Sequence, residues 1–117
     1  MIPRVNEGTF EEDVLGSRSP VLVHFLAPWC GLCRLLDPML IQLKSEWGGQ
    51  LKLVTVNADD NLKLANAYRL RSLPTLVLFD QGKVVHRVED FCTNDDLQLA
   101  LGNFNNLIER LTMSCIL

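Results

Sequence analysis

A chain of 117 residues that is 48% hydrophobic is one domain by length, with enough apolar content for a core that needs no covalent staples. Its formal charge of −3 leaves no electrostatic footprint for nucleic acid, and its longest apolar stretches fall far short of a membrane span, so neither partner is expected. Four cysteines at 30, 33, 92 and 115 are too few and too unevenly spaced for a small secreted disulfide framework, and Met1-Ile2-Pro3-Arg4-Val5 has no apolar signal core; the expected setting is reducing and cytoplasmic.

In chain order, Asn6 to Leu15 reads as a first helix, with Thr9 and Glu12 at capping-box spacing and Phe10 and Val14 on one face. Val21 to Ala27 is an almost continuous apolar run, the pattern of a central strand buried on both faces. Leu36, Met39, Leu40, Leu43 and Trp47 then recur at helical spacing; Pro38 should kink that helix and Gly48-Gly49 stop it. Leu51 to Ala58 is the next strand, and Asn61 to Tyr68 a short helix using Leu64, Ala65 and Tyr68. Thr75 to Phe79 and Lys83 to Val88 flank Asp80-Gln81-Gly82 as a hairpin. Thr93 opens a last helix with apolar positions 97, 100, 101, 104, 107, 108 and 111. The organisation is a single domain over 1–111 with a short tail over 112–117, without repeats or low-complexity segments.

Cys30-Gly31-Leu32-Cys33 lies between the apolar strand and the amphipathic helix. A thiolate at a helix N-terminus faces unpaired backbone N–H groups and the positive end of the macrodipole, which makes Cys30 the expected nucleophile. A dipole contribution of about 0.3–1 kcal/mol, up to about 2, corresponds to roughly 0.2–1.5 pKa units, enough to bring a thiol from about 8.5 toward 7 to 8. One helical turn holds Cys33 close enough to close a disulfide, so Cys30 can attack a partner's disulfide and Cys33 can resolve the mixed species. The competing use of such a pair is a zinc half-site, but no second CXXC or HxxxH run supplies two more ligands, and no metal is expected.

Through Ala27-Pro28-Trp29-Cys30-Gly31-Leu32-Cys33, Pro38, Leu73-Pro74-Thr75 and the Gly82 turn, in order and spacing, the chain from about Phe10 to Leu107 resembles the thioredoxin family. The resemblance implies an α/β thioredoxin fold, a central mixed β-sheet flanked by helices in the order β-α-β-α-β-α-β-β-α. It also implies a protein-disulfide reductase needing no bound cofactor, with Cys30 attacking and Cys33 resolving. Disulfide-containing target proteins and a thioredoxin reductase, dependent on NADPH or ferredoxin, are the expected partners of a monomer. Trp29, Gly31 and Leu32 would meet the incoming peptide, and Leu73 with a cis Pro74 would form the ledge on which it lies; Trp47, by contrast, continues an apolar stripe and reads as core.

Departures from the family pattern define further expectations. His24 stands where the family carries a buried aspartate, and Thr55 where it carries the partnering lysine, so both charges are absent together, which avoids a stranded buried charge. Two readings of His24 stay open: a catalytic proton acceptor for the resolving thiol, or a core histidine bonded to Thr55. Leu32 in place of proline, with the carboxylate gone, should make the couple more oxidising. Asp90 in place of a docking-surface glycine, beside Glu89, and Leu26 in place of a tryptophan should alter the partner range, disfavouring a standard reductase and favouring basic targets, unless Asp90 is a solvated charge without effect. Cys92 reads as a buried small hydrophobe, and Cys115, third from the end, as an exposed thiol open to oxidation. The alternatives to a reductase are a binding module or chaperone with incidental redox activity, and a more oxidising isomerase or redox sensor.

Overall fold

The run after Pro20 forms β1 (Val21–Leu26), with every residue but the last buried. A strand apolar on both sides belongs inside a sheet. It pairs in parallel with β2 (Lys52–Asn57) and antiparallel with β3 (Thr75–Asp80), and β4 (Lys83–Val88) completes a four-stranded sheet of order β2-β1-β3-β4. The computed structural model describes residues 2–114. Among these, the strand expected ahead of the first helix is reduced to a single parallel bridge between Arg4 and Thr55, because Pro3 offers only its carbonyl to the ladder and Asn6 turns the chain away.

Side chains alternate across the sheet and sort the core into two layers. Leu22, Leu53, Leu76 and Leu78 meet α1 (Gly31–Trp47) and α3 (Asn94–Ser114) through Leu36, Leu40, Leu43, Leu97, Phe104 and Ile108. Val21, Val23, Phe25, Val54, Val56, Val77 and Phe79 pack on the opposite side with Phe10, Val14, Leu64 and Tyr68, from the N-terminal helical turn (Glu11–Leu15 with Phe10) and α2 (Leu62–Ala67 with Tyr68). Truncating a residue such as Leu36 or Leu40, each with no exposed surface, should cost about 2–5 kcal/mol.

The N-terminal helix is shorter and wider than its spacing predicts, a π-type turn over Glu11–Leu15. Its local cap is also different. The Asn6 Oδ1 accepts the N–H groups of Gly8 and Thr9, while the Asn6 N–H donates to Thr9 Oγ1, so Asn6 and Thr9 pair where Thr9 and Glu12 were expected to. Pro38 lies inside α1 on its exposed side, where water can serve the carbonyl that loses its N–H donor. Gln81 and Gly82, at φ 53° and 80°, make the tight β3–β4 turn; a Cβ on Gly82 would come within 3.0 Å of the Leu15 carbonyl oxygen. The last helix continues through Ser114, beyond Leu111, and Cys115 lies outside the described residues.

Candidate active site

The pairing of the strands gathers three segments at one end of the sheet. β1 ends in Ala27-Pro28-Trp29-Cys30; β2 runs parallel to it and leads into Asp59 and α2; β3 runs antiparallel and begins just after Leu73-Pro74. A cleft of about 450 Å³, lined by residues such as Ser19, Lys44 and Lys52, lies at the other end, where Lys52 pairs with Val21.

Cys30 is the N-cap of α1, and its Sγ accepts the backbone N–H of Cys33 at 3.2 Å. The two cysteines form a disulfide with a Cα separation of 5.3 Å, inside the ordinary range. In this oxidised state Cys30 is 4% exposed, more enclosed than a nucleophile at an open first turn was expected to be, since its sulfur is turned onto Cys33. Gly31 is exposed and Leu32 half-buried beside it. The Arg34 guanidinium donates to the Pro28 carbonyl, fastening the loop before the disulfide to the first turn of α1.

Trp29 is 69% exposed, and its Nε1–H donates to Asp59 Oδ2 at 3.0 Å. Trp47, the other tryptophan, is half-buried on the α1–α3 layer and donates to Asn105, close to the expected core role. The Leu73–Pro74 bond is cis, Pro74 is buried and Leu73 is half-buried.

Asp90 has φ 63°, the left-handed region in which glycine is at ease, and it is held there by neighbours. Its N–H donates to Ser72 Oγ, its Oδ1 accepts from that hydroxyl, and its Oδ2 accepts from Arg71 at 2.9 Å. Glu89 meets Arg71 and Arg87. Arg71 and Arg87 thus balance both carboxylates within the chain, which removes the electrostatic ground for expecting basic targets. Cys92, expected to be buried, is an exposed thiol: its residue lies in the bend before α3, where its N–H donates to the Asp96 carboxylate and no core element covers it. Leu26, in the tryptophan position, is half-buried at the mouth of a cleft.

His24 has no exposed surface. Its register neighbour is Thr55, yet the Thr55 hydroxyl donates to the Pro3 carbonyl, so the expected His24–Thr55 bond does not form. The nearest polar group is instead Asp37 of α1, with 3.4 Å between Nδ1 and Oδ1, a contact short of hydrogen-bond geometry. Asp37, Asp59, Arg71 and Ser72 were not singled out from the sequence. Asp37 alone carried a signal there, its position four residues after Cys33 on the same helical face. Among the described residues no group of three or more His, Cys, Asp or Glu side chains is placed to hold a metal ion, and no helix is long and apolar enough to cross a membrane.

The thioredoxin family model matches residues 1–103. A thioredoxin of Synechocystis sp. is 44% identical over 86 residues, 74% of this chain and 80% of that protein. Thioredoxin 1 of Nostoc sp. is 44% identical over 85 residues, 73% of this chain and 79% of that protein. A chloroplastic M-type thioredoxin of Pisum sativum is 42% identical over 79 residues, covering 68% of this chain and 46% of that protein.

Proposed function

The chain belongs to the thioredoxin family and is a thiol–disulfide oxidoreductase with a CXXC redox pair, a protein-disulfide reductase; from that premise we propose that Cys30 attacks the disulfides of protein targets and Cys33 resolves the product. The observation that carries the assignment of roles is the Cys33 N–H donated to Cys30 Sγ at the head of α1. That donor and the helix dipole favour the Cys30 thiolate over the thiol, while Cys33, inside the first turn, lacks an N-terminal position of its own. The thiolate attacks one sulfur of the target disulfide, forming the mixed disulfide and expelling one target thiolate. Cys33, after losing its proton, then attacks Cys30 Sγ and expels the second.

The same reading assigns the contacts. Trp29, fixed by Asp59, offers a flat exposed face to the incoming peptide, with Gly31 and Leu32 beside the sulfurs and Leu73-Pro74 as the ledge. Asp90 fills a glycine-like backbone position with a tethered side chain, and with Leu32 and His24 makes this an atypical member: it should dock poorly on a standard thioredoxin reductase, NADPH- or ferredoxin-dependent. His24 takes the proton of Cys33. The free thiol of Cys92 accords with a reducing compartment, and the cytoplasm is the setting we assign to a monomeric protein.

The test is the trapping of targets. Cys33→Ser should accumulate mixed disulfides on Cys30 and lose turnover of a disulfide peptide by at least about 10³-fold. Cys30→Ser with Cys33→Ser should retain no reductase activity; retention of the biological function in that double variant would favour a binding module. The midpoint should lie above about −270 mV, a general reference figure for thioredoxin rather than a quantity obtained from this chain. A value at or below that figure would remove the oxidising role of Leu32 and His24.

A further inference from the structure

His24 lies wholly inside the α1 side of the sheet, and neither of its ring nitrogens has a hydrogen-bond partner in the protein. A polar group in that position is a liability for folding unless a neighbour or a function compensates it. The neighbour is Asp37, whose Oδ1 is also buried and also without a hydrogen bond, 3.4 Å from Nδ1. The Asp37 side chain is nevertheless 46% exposed, so one carboxylate reaches from a sealed imidazole to solvent. Beside it opens a cleft of about 300 Å³ lined by Pro3, Arg4, Leu26, Asp37, Ile41 and Thr55. Asp37 is the fourth residue after Cys33 on α1, which sets them one turn apart on the face that looks on β1.

We propose that His24 and Asp37 form a proton relay between Cys33 and this cleft, with Asp37 as the positioning residue. The inference rests on the proton-accepting role of His24 given above and adds to it the partner and the exit. In the relay the 3.4 Å contact closes so that Asp37 takes a hydrogen bond from Nδ1 and leaves Nε2 as the acceptor. Cys33 gives its thiol proton to Nε2; its electron pair forms the Cys30–Cys33 bond as the bond from Cys30 to the target sulfur breaks. The target departs as a thiolate, and the imidazolium returns its proton through Asp37 to water in the cleft. Oxidation of the two cysteines balances reduction of the target disulfide, so no further reductant is required.

Around the His24 ring, α1 contributes Asp37, with Cys33 one turn before it on the helix; β2 and β3 place Thr55 and Leu76 at its register; the N-terminal segment brings Arg4 to the cleft; and α3 contributes apolar Leu97, Ala100, Phe104 and Ile108 to the layer.

The test follows release of 2-nitro-5-thiobenzoate from its mixed disulfide with Cys30, from about pH 5 to 9, in the wild type, Asp37→Asn, Asp37→Glu and His24→Gln. Asp37→Asn should slow release by about tenfold near neutral pH and displace the inflection of the profile, with recovery in Asp37→Glu. His24→Gln should be slowed at least as much, and adding Asp37→Asn to it should cost nothing more. A wild-type rate and profile in Asp37→Asn, with His24→Gln slowed, overturns the relay and leaves the role of His24 standing; wild-type profiles in both remove the two together. Should His24→Gln not fold, imidazole nitrogen NMR of the wild type decides: a neutral ring protonated on Nδ1 supports the relay, and one protonated on Nε2 overturns it.

Discussion

In front of the disulfide, Trp29 is well exposed yet its indole N–H is tied to Asp59, and Asp90 is exposed yet bonded to Ser72 and Arg71. Behind it, His24 is sealed from water and neither ring nitrogen is bonded. Folding energetics alone would arrange these the other way round, because a buried polar group needs a partner and an exposed one already has water. Exposed pairs of the Arg71–Asp90 kind contribute only about 0–1 kcal/mol. On the proposed function their effect is to fix the shape of the surface that a peptide would meet, whereas burial of the unbonded histidine works against stability.

Replacing groups on the two sides should therefore move different quantities. The largest effect belongs to the front: Trp29→Ala should weaken the capture of protein targets by about 2 kcal/mol, read as a raised KM, with unfolding free energy changed by less than about 0.5 kcal/mol. A stability loss comparable to the loss in KM would make Trp29 a packing residue and erase the contrast. Next comes the back. His24→Leu substitutes an apolar side chain for an unbonded imidazole, leaves Asp37 to water, and should raise stability by about 1 kcal/mol in urea unfolding while slowing resolution by Cys33. Destabilisation by that amount would mean that His24 is a satisfied structural residue. Asp90→Gly should be smaller still: it relieves a left-handed φ and surrenders the bonds to Ser72 and Arg71, so the net change should stay within about 0.5 kcal/mol. Its consequence is in docking, where turnover by a standard reductase should rise; unchanged turnover would make Asp90 a bystander.

The sequence carried the front and the back unequally for a physical reason. β1 announced itself because burial on both faces demands an unbroken apolar run, and the β3–β4 turn because Gln81-Gly82 supplies the two positive φ values in a two-residue turn. The cysteine pair was legible from its place between strand and helix. Asp37 had only its spacing from Cys33 to mark it, since on an amphipathic helix a carboxylate at an intermediate position reads as a solvated charge, and the fold alone shows an imidazole beneath it. Asp59 and Ser72 find their partners 30 and 18 residues away, contacts that no local pattern encodes. Cys92 was misjudged for the converse reason: residue type favours burial, but its place in the bend before α3 keeps it outside the core. The N-terminal cap went to Asn6 because an asparagine oxygen can take two backbone donors at once, whereas the Thr9–Glu12 spacing needed a longer regular helix.

A further carboxylate, half-buried at the start of α3, provides the finest discrimination. Asp96 Oδ2 accepts the N–H of Cys92 at 2.8 Å and of Thr93 at 3.0 Å, while Thr93 Oγ1 accepts the Asp96 N–H at 3.2 Å, a reciprocal cap at the start of α3. The Cys92 and then the Thr93 backbone bonds hold the Asp96 carboxyl below its ordinary value of 3.8. A carboxyl depressed in the folded state contributes stability that is complete above the unfolded value and disappears as the pH falls through it to the folded value. Asp96→Asn should accordingly lower the neutral plateau slightly and flatten the acid limb of the unfolding free energy, converging with the wild type well below about pH 4. Thr93→Ala, which removes the other half of the cap, should cost about 1 kcal/mol at all pH values. If Asp96→Asn left the acid limb unchanged, the bonds on the exposed side would be mere consequences of the backbone path, and the contrast with His24 would narrow to the buried side alone.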